Sequence, residues 1–298
     1  MAAFETTIPG SPASSRPSVI IDFARSQPIA AVSFLFIIAL AFASAFADYV
    51  GPYDPVALDF ENVLTPPAAA HWFGTDNFGR DIFTRVLYGG RTALVIGVMS
   101  SFLGSITGGI IGVVSGYFSG RFDFYVQRFI DILLSFPIIV LAVVVVAMLG
   151  RNIIFGVDIN LVVAIAIPIV PKVARVVRSS ALSVRELPYI DAARAAGYSN
   201  ARIIFRHMVP NVFAPFIIMF AAFVAQAILL EASLSFLGLG VTEPTPAWGL
   251  MLSGNAADFY REAPWMIIFP GVAISVTVFA FNLLGDGLRD YLDPKFKL

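Results

Sequence analysis

The sequence predicts an all-α membrane protein with six transmembrane helices. Three observations carry this. Hydrophobic residues make up 58% of the 298 positions and charged residues 13%, where a soluble domain has about 25% charged. The charges are missing from long runs, each of which can cross a bilayer core as a helix of about 20 residues. The cations also collect in the segments that would lie on one side of those crossings.

Residues 1–27 are polar and rich in Ser, Pro and Ala, and read as a mobile cytoplasmic tail. The first span is placed at 28–47, within a charge-free run from Ser26 to Ala47. Ala45-Phe46-Ala47 before Asp48 resembles a signal-cleavage site. The apolar stretch exceeds the usual ~7–15 residues of a signal sequence, so a retained helix is expected. Residues 48–90 form an exterior loop.

The second span, 92–118, has Gly104, Gly108 and Gly112 at four-residue spacing, with Gly109 and Gly116 nearby. Such spacing lets helix backbones approach closely, either within the chain or against a second membrane subunit. The third span is 128–150 and the fourth 160–180. The fourth turns polar at Lys172, Arg175 and Arg178, and Pro168 and Pro171 predict a kink in it. A cytoplasmic loop, 183–211, precedes the fifth span at 212–235. A second exterior loop, 237–262, leads to the sixth span at 264–286. With both termini cytoplasmic, fourteen of the nineteen Lys and Arg residues lie inside, as the positive-inside rule requires.

Several chemistries are excluded. There is no cysteine, and the two histidines, His71 and His207, are far apart, so no metal site is expected. A net charge of −1 gives no field for nucleic acid. A P-loop lysine must follow glycine and precede Ser or Thr. Lys172 and Lys295 follow proline and Lys297 follows phenylalanine, so ATP is not hydrolysed here by that route. Asp131, Glu231 and Asp286 lie near span ends, which weakens a stand-alone proton-coupled carrier without removing it. No Gly-x-Ser-x-Gly is present for an intramembrane serine protease.

The loop 183–211 is the most specific segment. Asp191 to Ala196 favours helix, Gly197 suits a helix C-terminus, and Ser199 or Asn200 can cap a second helix over Ala201–Met208, which Pro210 would end. That helix carries Ile204 and Met208 with Arg202 and Arg206. Its chemistry fits either docking on another protein or lying among lipid headgroups.

The spacing Asp191-Ala192-Ala193, Gly197, His207-x-Val209-Pro210 resembles the Glu-Ala-Ala motif of ABC importer permeases, with Asp for Glu, His for Ile and Val for Leu. Four further segments resemble the C-type permease of the dipeptide, oligopeptide and nickel importers. These are Phe73-Gly74-Thr75-Asp76-Asn77-Phe78-Gly79-Arg80-Asp81, Arg128 to Pro137, Glu231 to Gly240 leading to Pro246-Ala247-Trp248-Gly249, and Asn282 to Pro294.

The resemblance implies a type I importer permease fold in a bacterial inner membrane. Its partners would be a homologous second permease, two cytoplasmic ATPase subunits that bind ATP and magnesium, and an extracytoplasmic substrate-binding protein. The chain itself would carry no cofactor. Asp191, Ala192, Ala193, Gly197, Tyr198, Ser199, Arg202, Ile204, Arg206, His207 and Pro210 would form the ATPase-coupling loop. Asp76, Arg80 and Trp248 are candidates for exterior contact. For Asp76, Arg80 and Asp81, pairing or capping within their loop is favoured, and Trp248 can equally anchor at the membrane interface. Glu231, Lys172 and Arg175 are candidates for the pathway, although snorkelling toward headgroups is favoured for the two cations. The cargo would be peptides, or alternatively nickel chelates, glutathione or opines.

Overall fold

The computed structural model describes residues 19–292. The expected tail therefore lies mostly outside the described residues, as do Lys295 and Lys297. Residues within that tail that are described form a helix, α1 (Val19–Ser26), followed by α2 (Pro28–Ala45) and the short α3 (Ala47–Val50).

The longest helix, α4 (Ile82–Phe118), starts ten residues before the expected span. Its N-cap is Asp81, whose carboxylate accepts from the Thr84 amide and hydroxyl, both at 2.8 Å. These bonds satisfy orphan donors at the first turn, so the helix nucleates inside the sequence expected to be loop.

The third span is not one helix. It is α5 (Gly120–Ser135) and α6 (Ile138–Leu149), bent by 95°. Pro137 lacks a donor and forces Phe136 into extended backbone (ψ 138°). A hairpin, β1 (Ile153–Ile154) and β2 (Val157–Asp158), then leads to α7 (Ile159–Ala166) and α8 (Val170–Arg185). This pair is bent by 47° around Pro168, the expected kink.

After α9 (Pro188–Ala195) comes α10 (Asn200–Ile203), a π turn at Ile204–Met208, and α11 (Val209–Phe236). Pro210 does not end a helix. The π turn closes by the Val209 amide donating to the Ile204 carbonyl, and α10 through α11 form one continuous 37-residue run. The wider turn absorbs the proline's missing bond, and Asn211 Nδ2 donates to the His207 carbonyl at 2.6 Å. The chain finishes with α12 (Trp248–Met251), α13 (Asn255–Asp258) and α14 (Trp265–Leu292).

Among the described residues, four helical runs are long and apolar enough to cross a membrane, and up to six if each bent pair is one span. The tightest packing is α4 on α8, and the glycine stripe makes it. A Cβ on Gly108 or Gly112 would fall 2.6 Å from the carbonyl oxygen of Val170 or Ala174. The stripe therefore serves packing within the chain. Helix α11 packs on α4 and α14, and α2 fills the groove between α14 and α4.

The described ends meet: Phe23 and Tyr291 are in edge-to-face contact, centroids 5.3 Å apart. Both lie at the end of the bundle where α4 finishes and residues 186–208 project. Residues 51–81 and 237–264 cover the opposite end.

Candidate functional site

The projecting loop is built as a rigid corner. Helix α9 stops at Gly197, which has φ +77°. The Gly197 amide donates to Arg194 O at 2.9 Å and the Tyr198 amide to Ala193 O at 3.1 Å. This pair of bonds is a Schellman stop, which favours glycine at its left-handed residue. Ser199 then caps α10 through the Arg202 amide at 3.4 Å.

The corner is glued to the bundle by its apolar side. Ile190, Ala193, Ile203 and Met208 are buried with Val177, Ala181 and Tyr117 in one core cluster, and Ile204 packs against it. The Tyr117 hydroxyl donates to Asn200 Oδ1 at 2.7 Å. Arg194 pairs with Asp191 at 2.9 Å and lies over the Tyr117 ring. His207 sits near the rings of Tyr189 and Tyr198.

The outer side presents Ala192, Ala195, Ala196, Gly197, Tyr198, Ser199, Arg202, Arg206 and Pro210. Arg202 stacks over Tyr198 at 4.1 Å, and Phe205 is 73% exposed. Small residues beside exposed aromatics and cations give a convex knob that can seat in a groove. Tyr117 and Phe205 are the parts of this site that the sequence reading did not single out, and Asn200 was expected only as a cap. Tyr117 and Asn200 are 83 positions apart, and no local pattern links them.

At the opposite end the candidates for exterior contact are buried instead. Arg80 Nε donates to Asp76 Oδ2 at 2.6 Å and its Nη1 to Glu243 Oε2 at 2.8 Å. Arg85, 1% exposed, donates to Pro55 O at 2.8 Å and reaches Glu243 at 3.5 Å. Burial works against the Arg80 charge, but the hydrogen bond it donates to Glu243 and the charge of Asp76 outweigh it and hold its pKa above the ordinary value. Asp76 and Arg80 thus tie residues 53–81 to the 237–247 segment, in line with the pairing reading. Glu243, in the second exterior loop, completes the knot and was not singled out from sequence.

Trp248 has no exposed surface, so it is neither an exterior contact nor an interface anchor. Its ring lies against Gly89 and Gly90 of α4, and Nε1 donates to Val86 O at 2.8 Å. Nearby, Asp48 accepts from Tyr88 at 2.5 Å and Arg91 at 2.8 Å, which lowers its pKa.

The pathway candidates separate. Glu231 is fully buried and accepts from Ser235 at 2.7 Å, so it faces no open surface. Arg175 pairs with Asp131 of α5, and Arg178 with Asp123. These two cations are thereby paired with α5. Lys172 instead turns to Gln226 Oε1 at 3.3 Å and the Phe223 ring. Among the described residues, no cluster of His, Asp or Glu could hold a metal ion.

Residues 108–298 match the family described as "Binding-protein-dependent transport system inner membrane component". The glutathione transport system permease protein GsiD of Salmonella typhi is 47% identical over 274 residues, covering 92% of this chain and 88% of that protein. GsiD of Shigella sonnei is 43% identical with the same coverage. Among solved structures, the inward-facing MetNI methionine ABC transporter superposes with a TM-score of 0.55 at 18% identity, covering 71% of this chain and 98% of that one. That likeness is one of fold. The chain is a multi-pass inner-membrane permease subunit, and it belongs to the family of binding-protein-dependent ABC importer permeases of the dipeptide, oligopeptide and nickel type.

Proposed function

We propose that this permease forms half of the pathway of an ATP-driven importer for small peptides, with glutathione among its cargo. The observation that carries the reading is the rigid knob at residues 188–208, on a chain 47% identical to a glutathione permease across 92% of its length.

A second permease supplies the other half of the pathway. Two ATPase subunits, which bind ATP and magnesium, take the knobs in surface grooves, and a binding protein delivers cargo to the opposite end. The cation distribution supports a cytoplasmic knob end. Closure of the ATPases then moves the knob, and the α4–α8 glycine seam passes that movement into the bundle as a rigid-body shift. The outer knot of Asp76, Arg80, Arg85 and Glu243 keeps the receiving surface in one shape.

Reconstitution tests this. Proteoliposomes holding both permeases and both ATPases, given binding protein outside and ATP inside, are expected to accumulate glutathione. Uptake that persists without ATP or without ATPase subunits would identify a stand-alone carrier instead.

A further inference from the structure

Of the four cations of α8, the three before its last turn differ in their partners. Arg175 and Arg178 each meet a carboxylate of α5. Among the described residues, Lys172 has none within 4.0 Å, and its partners are the neutral oxygen of Gln226 and the face of Phe223, 5.9 Å from its centroid.

Its depth makes this costly. Lys172 stands thirteen residues from Ile159 and thirteen from Arg185, the ends of the α7–α8 pair, or about 20 Å of helix from each. A mid-membrane ammonium without a counter-charge is unfavourable and marks function rather than packing. A lysine facing lipid extends toward headgroups, whereas this one leans onto α11.

A polar strip continues from it. Lys172, Arg175, Ser179 and Ser183 follow at helical spacing on the exposed or half-exposed side of α8, and Gln226 of α11 meets Lys172 at its head. The other side of α8, with Val173, Ala174, Val177 and Ala181, is buried against α4 and its neighbours.

We propose that Lys172 is the cation in the translocation pathway that receives a carboxylate of the passing substrate, with Gln226 orienting its ammonium and the strip below leading toward the knob end. The inference rests on the peptide-import reading and sharpens it, because it requires the cargo to carry a negative group. Gln226 and Phe223 hold the ammonium between passages, and a substrate carboxylate supplies the missing counter-charge during passage.

The test uses the complete complex in proteoliposomes with glutathione as probe, comparing the unmodified chain with Lys172→Met and Lys172→Arg. Lys172→Met is expected to lower uptake about tenfold or more, the loss for one charge-assisted contact. Lys172→Arg is expected to keep more than about half of it, because the charge remains. The melting temperature of Lys172→Met in detergent should be equal or higher, since an isolated charge has been removed. Lys172→Met uptake within about twofold of the unmodified complex, or a matching loss in Lys172→Arg, overturns the role of the charge. No glutathione uptake by the unmodified complex overturns the import reading, and the proposal falls with it.

Discussion

The hydroxyl of Tyr117 and the side chain of Asn200 are joined at 2.7 Å, which makes the last turn of the longest helix and the first turn of the projecting corner one mechanical body. The bond crosses from α4 to α10, so a push on the corner is felt directly along α4. With Ile190, Ala193, Ile203 and Met208 buried beneath it, the corner has little freedom to move alone.

Tyr117→Phe tests that link. It removes one hydroxyl from a buried ring and should cost only about 1 kcal/mol of stability. The expected phenotype is slippage: more ATP hydrolysed per glutathione imported, in a complex that assembles normally. The measurement is the ATP-to-substrate ratio in proteoliposomes, and an unchanged ratio would mean that the apolar contacts alone transmit the push.

The glycine seam predicts a packing failure. At Gly112 a Cβ would meet the Ala174 carbonyl at 2.6 Å and the Arg178 amide at 2.9 Å. Both are backbone atoms, so the helices themselves must separate. Gly112→Leu should destabilise the bundle by more than the ~1–3 kcal/mol usual for overpacking. A thermal melt of the purified chain reads this, and a melt matching the unmodified protein would contradict the seam.

That seam was legible in the sequence, because small residues at four-residue spacing have few other uses. The Schellman corner was legible as well, since Gly197 follows a helix-forming stretch and precedes a capping serine. Other features were hidden for physical reasons. The 95° bend at Pro137 lies inside the charge-free run from Ile132 to Gly150, which reads as one span. Pro210 read as a helix stop because a π turn leaves no mark in composition. Trp248 read as a surface residue because its partners, Gly89 and Gly90, are far upstream. Glu243 is one acid in a polar loop, and only the fold brings it to Arg80 and Arg85.

The outer knot should respond to the loss of Glu243. Glu243→Gln removes the charge facing Arg80 and Arg85 but keeps the shape, leaving two arginines sharing Asp76. The expected cost is about 1–3 kcal/mol, concentrated at this end. Limited proteolysis within residues 51–81 should quicken while the melt of the whole bundle changes little. Unchanged protection would show that the aromatic stacking of Phe73 on Phe269 suffices to hold the loop.

Trp248 separates bulk from hydrogen bonding. Trp248→Ala empties a fully buried site against Gly89 and should cost about 3–5 kcal/mol. Trp248→Phe keeps a six-membered ring but loses the bond to the Val86 carbonyl and part of the packing, at about 1–3 kcal/mol. Denaturation of the two variants in detergent gives the comparison. Equal costs would place the stabilisation in the hydrogen bond.

Gly197 tests the central claim most directly. Its φ of +77° makes any side chain costly by about 1–2 kcal/mol, yet a Cβ there meets nothing within 4 Å. Gly197→Trp should therefore fold and reach the membrane, while the indole stands where an ATPase groove must close over the corner. The account predicts normal membrane levels, ATPase subunits that no longer co-purify with the permease, and lost glutathione uptake. Normal uptake with normal ATPase recruitment in a well-expressed Gly197→Trp protein would contradict it.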